Sequence, residues 1–295
     1  MTTFAARLPI YAKLMRFDRP VGSLLLLWPT LAALWIASSG RPSLSLVAIF
    51  TLGTFVMRAA GCVINDWADR RIDAHVERTR QRPLATGSLG ELEALALFGA
   101  LLSFGLLLVM FLNPLTQWMA VAGAAIATIY PFMKRWTYLP QVVLGAAFSW
   151  GLIMAFTAVG NRIPSQAWLL FVASVVWIVM YDTLYAMVDR DDDLKIGVKS
   201  TAILFGASDR IMVGVLQALA WLSLALFGIG AGFGYVYDAG LVAIAALFAH
   251  QQRLIRTRAP EACFKAFGNN VWVGFALWLS VVVELDVVPL VRSAL

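Results

Sequence analysis

The chain has 295 residues, of which 61% are hydrophobic and 14% are charged, and its mean hydropathy is +0.79. A soluble globular domain is about 45–50% apolar and about 25% charged, so the composition excludes a soluble globular enzyme, a disordered chain and a disulfide-rich secreted protein. We attribute the formal charge of +6 to basic membrane loops and expect no binding of nucleic acid. The composition predicts an all-α polytopic protein of the lipid bilayer.

The predicted elements begin with a basic segment. The first 19 residues carry four basic side chains and no uninterrupted apolar core, so we expect a segment on the membrane surface and no cleavable signal peptide. Windows almost free of charge then predict about nine spanning helices. The predicted spans lie, in chain order, at 20–38, 43–64, the two halves of 94–133, 136–161, 165–188, 211–230, 237–251 and 266–283. The window 94–133 is divided at Asn113-Pro114, a turn signal.

The basic residues are unequally divided between the two sides of the predicted bundle. If the N-terminus is cytoplasmic, the cytoplasmic segments carry 19 of the 23 lysines and arginines. The opposite side then carries only Arg41, Arg162 and Arg292, while Arg58 falls within the second span. The excess of basic residues in cytoplasmic loops orients membrane proteins. The sequence therefore predicts a cytoplasmic N-terminus and a C-terminus on the opposite side.

The acidic residues are also unevenly distributed, because 11 of the 17 fall in two predicted cytoplasmic loops. The first cluster follows the second span. In a continuous helix, Asn65, Asp69 and Asp73 would share one face, with Asp66 beside them. Like charges at this spacing destabilise a helix, and a bound cation would reverse that effect. Carboxylates with substrate phosphates are the usual ligands of Mg²⁺.

The second acidic cluster follows the sixth predicted span. Asp182, Asp189 and Asp193 stand at positions i, i+7 and i+11, again on one helical face, and Asp182 lies at membrane depth. Two clusters at the cytoplasmic ends of two helices predict one site, in which Mg²⁺ ions are bridged by a diphosphate and make it a better leaving group. Basic residues near the two clusters are Arg70, Arg71, Arg82, Lys134, Arg135, Lys195 and Lys199.

These residues resemble the UbiA superfamily of membrane prenyltransferases. Residues 65–73 are similar to that family's N-D-x-x-D-x-x-x-D motif, Asp189 to Asp193 is similar to its D-x-x-x-D motif, and residues 78–87 are typical of it. The resemblance extends over nearly the whole chain. Residues 19–30, 130–135 and 181–201 resemble, more narrowly, the 4-hydroxybenzoate polyprenyltransferases of that superfamily.

The resemblance implies one integral-membrane prenyltransferase domain over residues 1–295, folded as a UbiA-like bundle around a central cavity. It implies Mg²⁺-dependent transfer of a polyprenyl group from polyprenyl diphosphate to the ring carbon ortho to the hydroxyl of 4-hydroxybenzoate. That reaction belongs to ubiquinone biosynthesis. The location would be a bacterial inner membrane, and other enzymes of the same pathway would be partners.

The resemblance also implies roles for individual residues. The residues that would organise Mg²⁺ are Asp69, Asp73, Asp189 and Asp193, assisted by Asn65 and Asp66. The candidates for binding the diphosphate are Arg70, Arg135 and Lys195, followed by Lys134 and Lys199. Tyr130 and Tyr185 would shield an allylic cation with their ring faces. Asp182 would accept a hydrogen bond from the phenol or assist removal of the ring proton. Arg16 and Arg58 are candidates for the carboxylate of the acceptor.

Three alternatives stay open at this point. A CDP-alcohol phosphotransferase is also rich in aspartate, but its motif needs glycine after an aspartate, where this chain has Trp67 and Arg70. A cation-coupled transporter would use intramembrane acids near the midplane, whereas these acids cluster at one face. The third alternative is a UbiA-superfamily prenyltransferase with another acceptor, such as a heme or a naphthoate.

Overall fold

The computed structural model of the chain describes residues 4–288, and all regular secondary structure within this range is helical. The helices are α1 (Phe4–Leu14), α2 (Val21–Ala37), α3 (Leu44–Asp69), α4 (Glu91–Val109), α5 (Pro114–Met133), α6 (Pro140–Gly160), α7 (Ser165–Ile196), α8 (Thr201–Phe205), α9 (Asp209–Ala231), α10 (Tyr235–Leu254) and α11 (Pro260–Val282). Short 3-10 turns lie at Asp73–His75, Gly206–Ser208 and Ile255–Thr257, and a π turn lies at Val283–Val287. The all-α prediction is confirmed.

Helices occur at each of the nine predicted spans. Seven helical stretches in the described range are long and apolar enough to cross a membrane: α3, α4, α5, α6, α7, α8 with α9, and α11 with the π turn. The two other predicted spans correspond to α2, an apolar helix of 17 residues, and α10, a helix of 20 residues. The prediction for the C-terminus, including Arg292, concerns residues outside the described range.

Helix α7 lies at the centre of the bundle, where it packs against α6, α9 and α11. The middle of α7 is largely buried, including Trp177, Met180, Tyr181 and Leu184. With 32 residues it is about 48 Å long, whereas a hydrocarbon core is about 30 Å thick. Its C-terminal turns therefore extend beyond the length needed for a span, and they carry the second acidic cluster.

Helix α3 carries the first acidic cluster at its C-terminal end. The helix ends at Asp69, and a tighter turn follows in which the amide of Ile72 donates to the carbonyl of Asp69 at 2.7 Å. The prediction that Asn65, Asp69 and Asp73 share one helical face is wrong for Asp73, because Asp73 begins a separate 3-10 turn. That turn folds Asp73 into a buried position beside Arg82.

Candidate functional site

Two adjoining cavities lie inside the bundle. The large cavity has a volume of about 1150 Å³, and the small cavity has a volume of about 140 Å³. Apolar side chains of α3, α4, α5 and α6 form much of the wall of the large cavity. The residues that line both cavities are Asn65, Arg78, Arg82, Tyr130, Asp182 and Tyr185. The structure thus confirms a central cavity, whose polar end continues into a smaller one.

The small cavity brings the two acidic clusters together. Asp69 and Asp73 reach it from α3 and the turn that follows, and Asp189 and Asp193 reach it from α7. Lys199, in the loop after α7, also lines its wall. Two pairs of carboxylates, more than 100 residues apart in the chain, therefore share one pocket, as the two-cluster prediction required.

Asp69 is the most enclosed carboxylate of the small cavity, with 1% of its surface exposed. Its Oδ2 atom pairs with the ammonium of Lys134, which follows α5. Its Oδ1 atom is buried and has no hydrogen-bond partner within residues 4–288. One oxygen of Asp69 is therefore neutralised, and the other is available to a ligand.

Asp73 is held by Arg82, whose Nη1 donates to the two carboxylate oxygens at 3.1 and 2.9 Å. Burial raises the pKa of Asp73 to about 6, although the charge of Arg82 acts in the opposite direction. Arg82 also contacts Asp66, at 3.0 Å, and so joins the two acids. Burial opposes the charge on Arg82, but Asp66 and Asp73 outweigh it, so the pKa of Arg82 is raised.

Arg78 connects the segment between α3 and α4 to the second acidic cluster. Its Nε donates to Asp189 at 2.9 Å, and a second N–H reaches the other carboxylate oxygen. The guanidinium also donates to the hydroxyl of Tyr185 and lies 4.5 Å from the centre of that ring. Burial lowers the pKa of Arg78, but Tyr185 and Asp189 outweigh that effect and raise it. The sequence predicts no site role for Arg78. Its only distinguishing feature is that it begins residues 78–87, which are typical of the UbiA superfamily.

Several predicted anion-binding residues lie away from both cavities. Arg70 pairs with Glu91 at 2.7 Å, Arg135 donates to the carbonyl of Ala68 at 2.6 Å, and Lys195 pairs with Asp192 at 3.1 Å. None of the three basic side chains is among the cavity-lining residues of the described chain. The structure therefore does not bring Arg70, Arg135 and Lys195 to the acidic pocket, whereas it does bring Arg78 and Arg82 there.

The two candidates for the acceptor carboxylate have different surroundings. Arg16 follows α1 in a left-handed conformation (φ 60°) and donates to the two oxygens of Asp66 at 2.9 and 2.8 Å. Arg58 lines the large cavity, where Nη1 contacts the sulfur of Cys62 at 2.7 Å and the guanidinium lies 5.7 Å from the ring centre of Phe148. The Nε of Arg58 is buried and has no partner in the described part of the chain.

Asp182 lies at the boundary between the two cavities, on the buried side of α7. Gln141 of α6 lines the small cavity with it and interacts with its carboxylate. The Oε1 of Gln141 accepts from the amide of Thr201 at 3.2 Å, which fixes the orientation of the amide group. Gln141 was not predicted from the sequence, since a single glutamine at a helix start carries no distinctive signal.

The acidic pocket would hold a metal ion together with a substrate phosphate. Within residues 4–288, no group of three or more acidic, histidine or cysteine side chains is arranged to hold a metal ion. Basic partners occupy Asp69, Asp73 and Asp189. The free Oδ1 of Asp69 and the all-oxygen donor set nevertheless fit a hard cation such as Mg²⁺, which commonly takes one or two carboxylates together with substrate phosphates.

Comparison with known proteins places these features in a family. Residues 26–280 match the sequence model of the UbiA prenyltransferase family. The 4-hydroxybenzoate octaprenyltransferase of Hahella chejuensis is 57% identical over 281 residues, which cover 95% of this chain and 94% of that protein. The protein of the same name from Marinobacter nauticus is 55% identical over 282 residues, which cover 95% and 96% of the two chains.

Solved structures share the fold at lower identity. A UbiA homolog from Aeropyrum pernix K1 in its apo form has a TM-score of 0.78 at 23% identity and covers 88% of this chain and 97% of its own. A UbiA homolog from Archaeoglobus fulgidus, bound to GPP and Mg²⁺, has a TM-score of 0.72 at 20% identity and covers 92% and 99%. With the family match over most of its length, this chain belongs to the UbiA prenyltransferase family.

Proposed function

We propose that the protein transfers a polyprenyl group from polyprenyl diphosphate to the ring carbon ortho to the hydroxyl of 4-hydroxybenzoate, with release of diphosphate. The observation that carries this proposal is the junction of an acidic pocket with a large, mostly apolar cavity inside a membrane bundle. The names of relatives that are 55–57% identical over nearly the whole chain support 4-hydroxybenzoate as the acceptor. Family membership disfavours a CDP-alcohol phosphotransferase or a transporter.

The small cavity is the proposed diphosphate site. The residues proposed to hold Mg²⁺ are Asp69, Asp73, Asp189 and Asp193, with Asn65 beside them. When bound, Mg²⁺ would offset the negative charge that develops on the departing diphosphate. Arg78, Arg82 and Lys134 already line this pocket as partners of the carboxylates, so they lie where phosphate oxygens would arrive. We therefore assign the diphosphate to these three residues and Lys199 in preference to Arg70, Arg135 and Lys195.

The boundary between the cavities is the proposed place of reaction. Tyr130 and Tyr185 line both cavities, but the ring of Tyr185 is covered by Arg78. Tyr130 is thus the better placed of the two to stabilise an allylic cation with its ring face. Asp182 lies at the same boundary and is proposed to accept the hydrogen bond of the phenol or the proton lost by the ring. The apolar walls exclude water, which would otherwise capture the cation.

Arg58 is proposed to bind the carboxylate of 4-hydroxybenzoate. Arg16 is a weaker candidate because it is already paired with Asp66 through two hydrogen bonds. Arg58 lines the large cavity, and its buried Nε–H has no partner among residues 4–288. Charge pairing between guanidinium and carboxylate is strong where water is scarce. This assignment puts the acceptor's negative charge away from the diphosphate pocket.

Gly22→Ala is expected to raise the KM for 4-hydroxybenzoate about tenfold, because a Cβ at position 22 would lie 2.6 Å from Nε and Nη2 of Arg58 and displace the guanidinium. The KM for polyprenyl diphosphate should stay unchanged. Gly99→Ala is the matched control, since its Cβ would meet no atom within 4 Å. Steady-state kinetics of the wild type and the two variants in detergent test this, and equal KM values for 4-hydroxybenzoate would refute the proposed role of Arg58.

We propose a single prenyltransferase domain over residues 1–295 in a bacterial inner membrane, with the acidic pocket at the cytoplasmic side. The N-terminus would be cytoplasmic and the C-terminus on the opposite side, in agreement with the 19 to 3 division of basic residues. Other enzymes of ubiquinone biosynthesis are proposed as partners, because they would consume the prenylated product.

The proposed activity predicts a simple assay result. Protein purified in detergent should prenylate 4-hydroxybenzoate when given Mg²⁺ and a polyprenyl diphosphate, as measured by chromatography and mass spectrometry. Addition of EDTA should abolish product formation, and excess Mg²⁺ should restore it. A naphthoate and a heme serve as competing acceptors. Product from one of these but none from 4-hydroxybenzoate would overturn the assignment of the acceptor.

A further inference from the structure

Tyr181, in the buried part of α7, has an unused hydroxyl. Its side chain is 1% exposed, and the hydroxyl has no hydrogen-bond partner among the residues that the structure describes. The ring is fixed edge-to-face between Trp177 and Phe267, with centroid distances of 5.2 and 5.8 Å. Buried polar groups almost always have partners, because an unsatisfied group loses its interactions with water and gains none. The unused hydroxyl therefore needs an explanation.

The position of Tyr181 indicates a ligand. The residue lines the large cavity but not the small one, as does Arg58. The two side chains are close enough to interact electrostatically, and the buried Nε–H of Arg58 also has no partner within residues 4–288. Two donors without partners, a neutral hydroxyl and a guanidinium N–H, thus lie buried beside the same cavity. Asp182, next to Tyr181 in the chain, instead reaches the boundary with the small cavity.

The two donors match the two oxygens of a carboxylate. With the diphosphate bound in the small cavity, which five aspartates also line, a second anionic group would be repelled there. At the Arg58 end of the large cavity, the same group would meet a cation and a hydroxyl donor. The phenol of a para-substituted ring would then point back toward Asp182, at the boundary where transfer is proposed to occur.

We propose that the hydroxyl of Tyr181 donates a hydrogen bond to the carboxylate of the aromatic acceptor, beside Arg58, and so selects acceptors that carry a carboxylate. The inference rests on the proposed function and adds a residue that recognises its acceptor. Tyr181 is then a specificity-determining residue, whose hydroxyl stays unsatisfied until the acceptor binds. Its removal costs nothing in the substrate-free protein but weakens binding of the acceptor.

Tyr181→Phe removes only the hydroxyl, and Tyr237→Phe is its matched control. Tyr237 is also 1% exposed, but its hydroxyl donates to the carbonyl of Leu224 at 3.0 Å, and the residue lines neither cavity. Without substrate, Tyr181→Phe should keep or raise the thermal midpoint in detergent, whereas Tyr237→Phe should lower it. A Tyr181→Phe protein that is destabilised as much as Tyr237→Phe would show a structural role for the hydroxyl and overturn the proposal.

Binding and kinetics complete the test. For 4-hydroxybenzoate, Tyr181→Phe should raise both Kd and KM about tenfold, with an unchanged KM for polyprenyl diphosphate. For 4-methylphenol, which has no carboxylate to accept the hydrogen bond, the two proteins should behave alike. Equal constants for 4-hydroxybenzoate in the two proteins, or the same loss with 4-methylphenol, would overturn the inference while leaving the proposed function intact. A wild-type protein that fails to prenylate 4-hydroxybenzoate would overturn both.

Discussion

Asp69→Ala and Asp189→Ala are each expected to lower prenyl transfer by about a thousandfold or more in an assay with saturating Mg²⁺ and both substrates. The two carboxylates reach the small cavity from different helices, α3 and α7, and each is paired with a basic side chain. Neither helix can supply the oxygen ligands of the other. Loss of one carboxylate should therefore leave the diphosphate without the charge neutralisation needed for its departure.

The controls for this prediction separate catalysis from folding. Removal of Asp69 leaves the ammonium of Lys134 without its partner, so Asp69→Asn, which keeps the size of the side chain, should be measured as well. Asp191→Ala changes an exposed carboxylate of the same acidic run that lines neither cavity, and it should keep wild-type activity. Monodisperse protein with near-normal turnover in either Asp69→Ala or Asp189→Ala would refute the metal site proposed between the two helices.

Arg78→Lys is expected to lower kcat/KM for polyprenyl diphosphate about a hundredfold, although the positive charge is kept. Arg78 binds both oxygens of Asp189 and covers the ring of Tyr185, and both contacts use the planar guanidinium. A lysine is a point charge that cannot reproduce a two-pronged contact or the same stacking. The effect should appear mainly with the diphosphate substrate, since Arg78 is assigned to that site.

Arg80→Lys is the control for Arg78→Lys. Arg80 also lies within residues 78–87, but its side chain is 54% exposed and pairs with Glu77. Exposed ion pairs contribute little, so this variant should match the wild type. Steady-state kinetics for both substrates provide the measurement. If Arg78→Lys were as active as Arg80→Lys, Arg78 would have no role beyond its charge, and the assignment of the diphosphate to it would fail.

The sequence predicted the helices well because spans are set by local composition. All nine predicted spans coincide with helices, including the two divided at Asn113, whose side chain accepts from the amide of Thr116 at the start of α5. The spacing in α7 correctly places Asp182, Asp189 and Asp193 on the cavity side of one long helix. The same reasoning failed for Asp73, because it assumed that α3 continues beyond Asp69.

The basic partners could not be predicted in the same way. Arg70 and Arg135 are adjacent to the motifs in sequence, yet they contact Glu91 and Ala68 outside the cavities. Arg78, which had no predicted role, reaches Asp189, 111 positions further along the chain. The direction of a side chain in the segment between α3 and α4 depends on how that segment folds back over α7, and no local pattern records this.

Local patterns in the sequence were enough to predict a membrane bundle, the positions of its helices, and two acidic clusters on the same side. These properties follow from hydropathy, helical spacing and the distribution of basic residues, all of which act over short stretches. The pairing of each cation with its carboxylate emerged only from the folded structure, as did the lack of a partner within residues 4–288 for the hydroxyl of Tyr181 and the Nε of Arg58. Such pairings, and polar groups without a partner, depend on contacts between distant helices, which form only when the bundle packs.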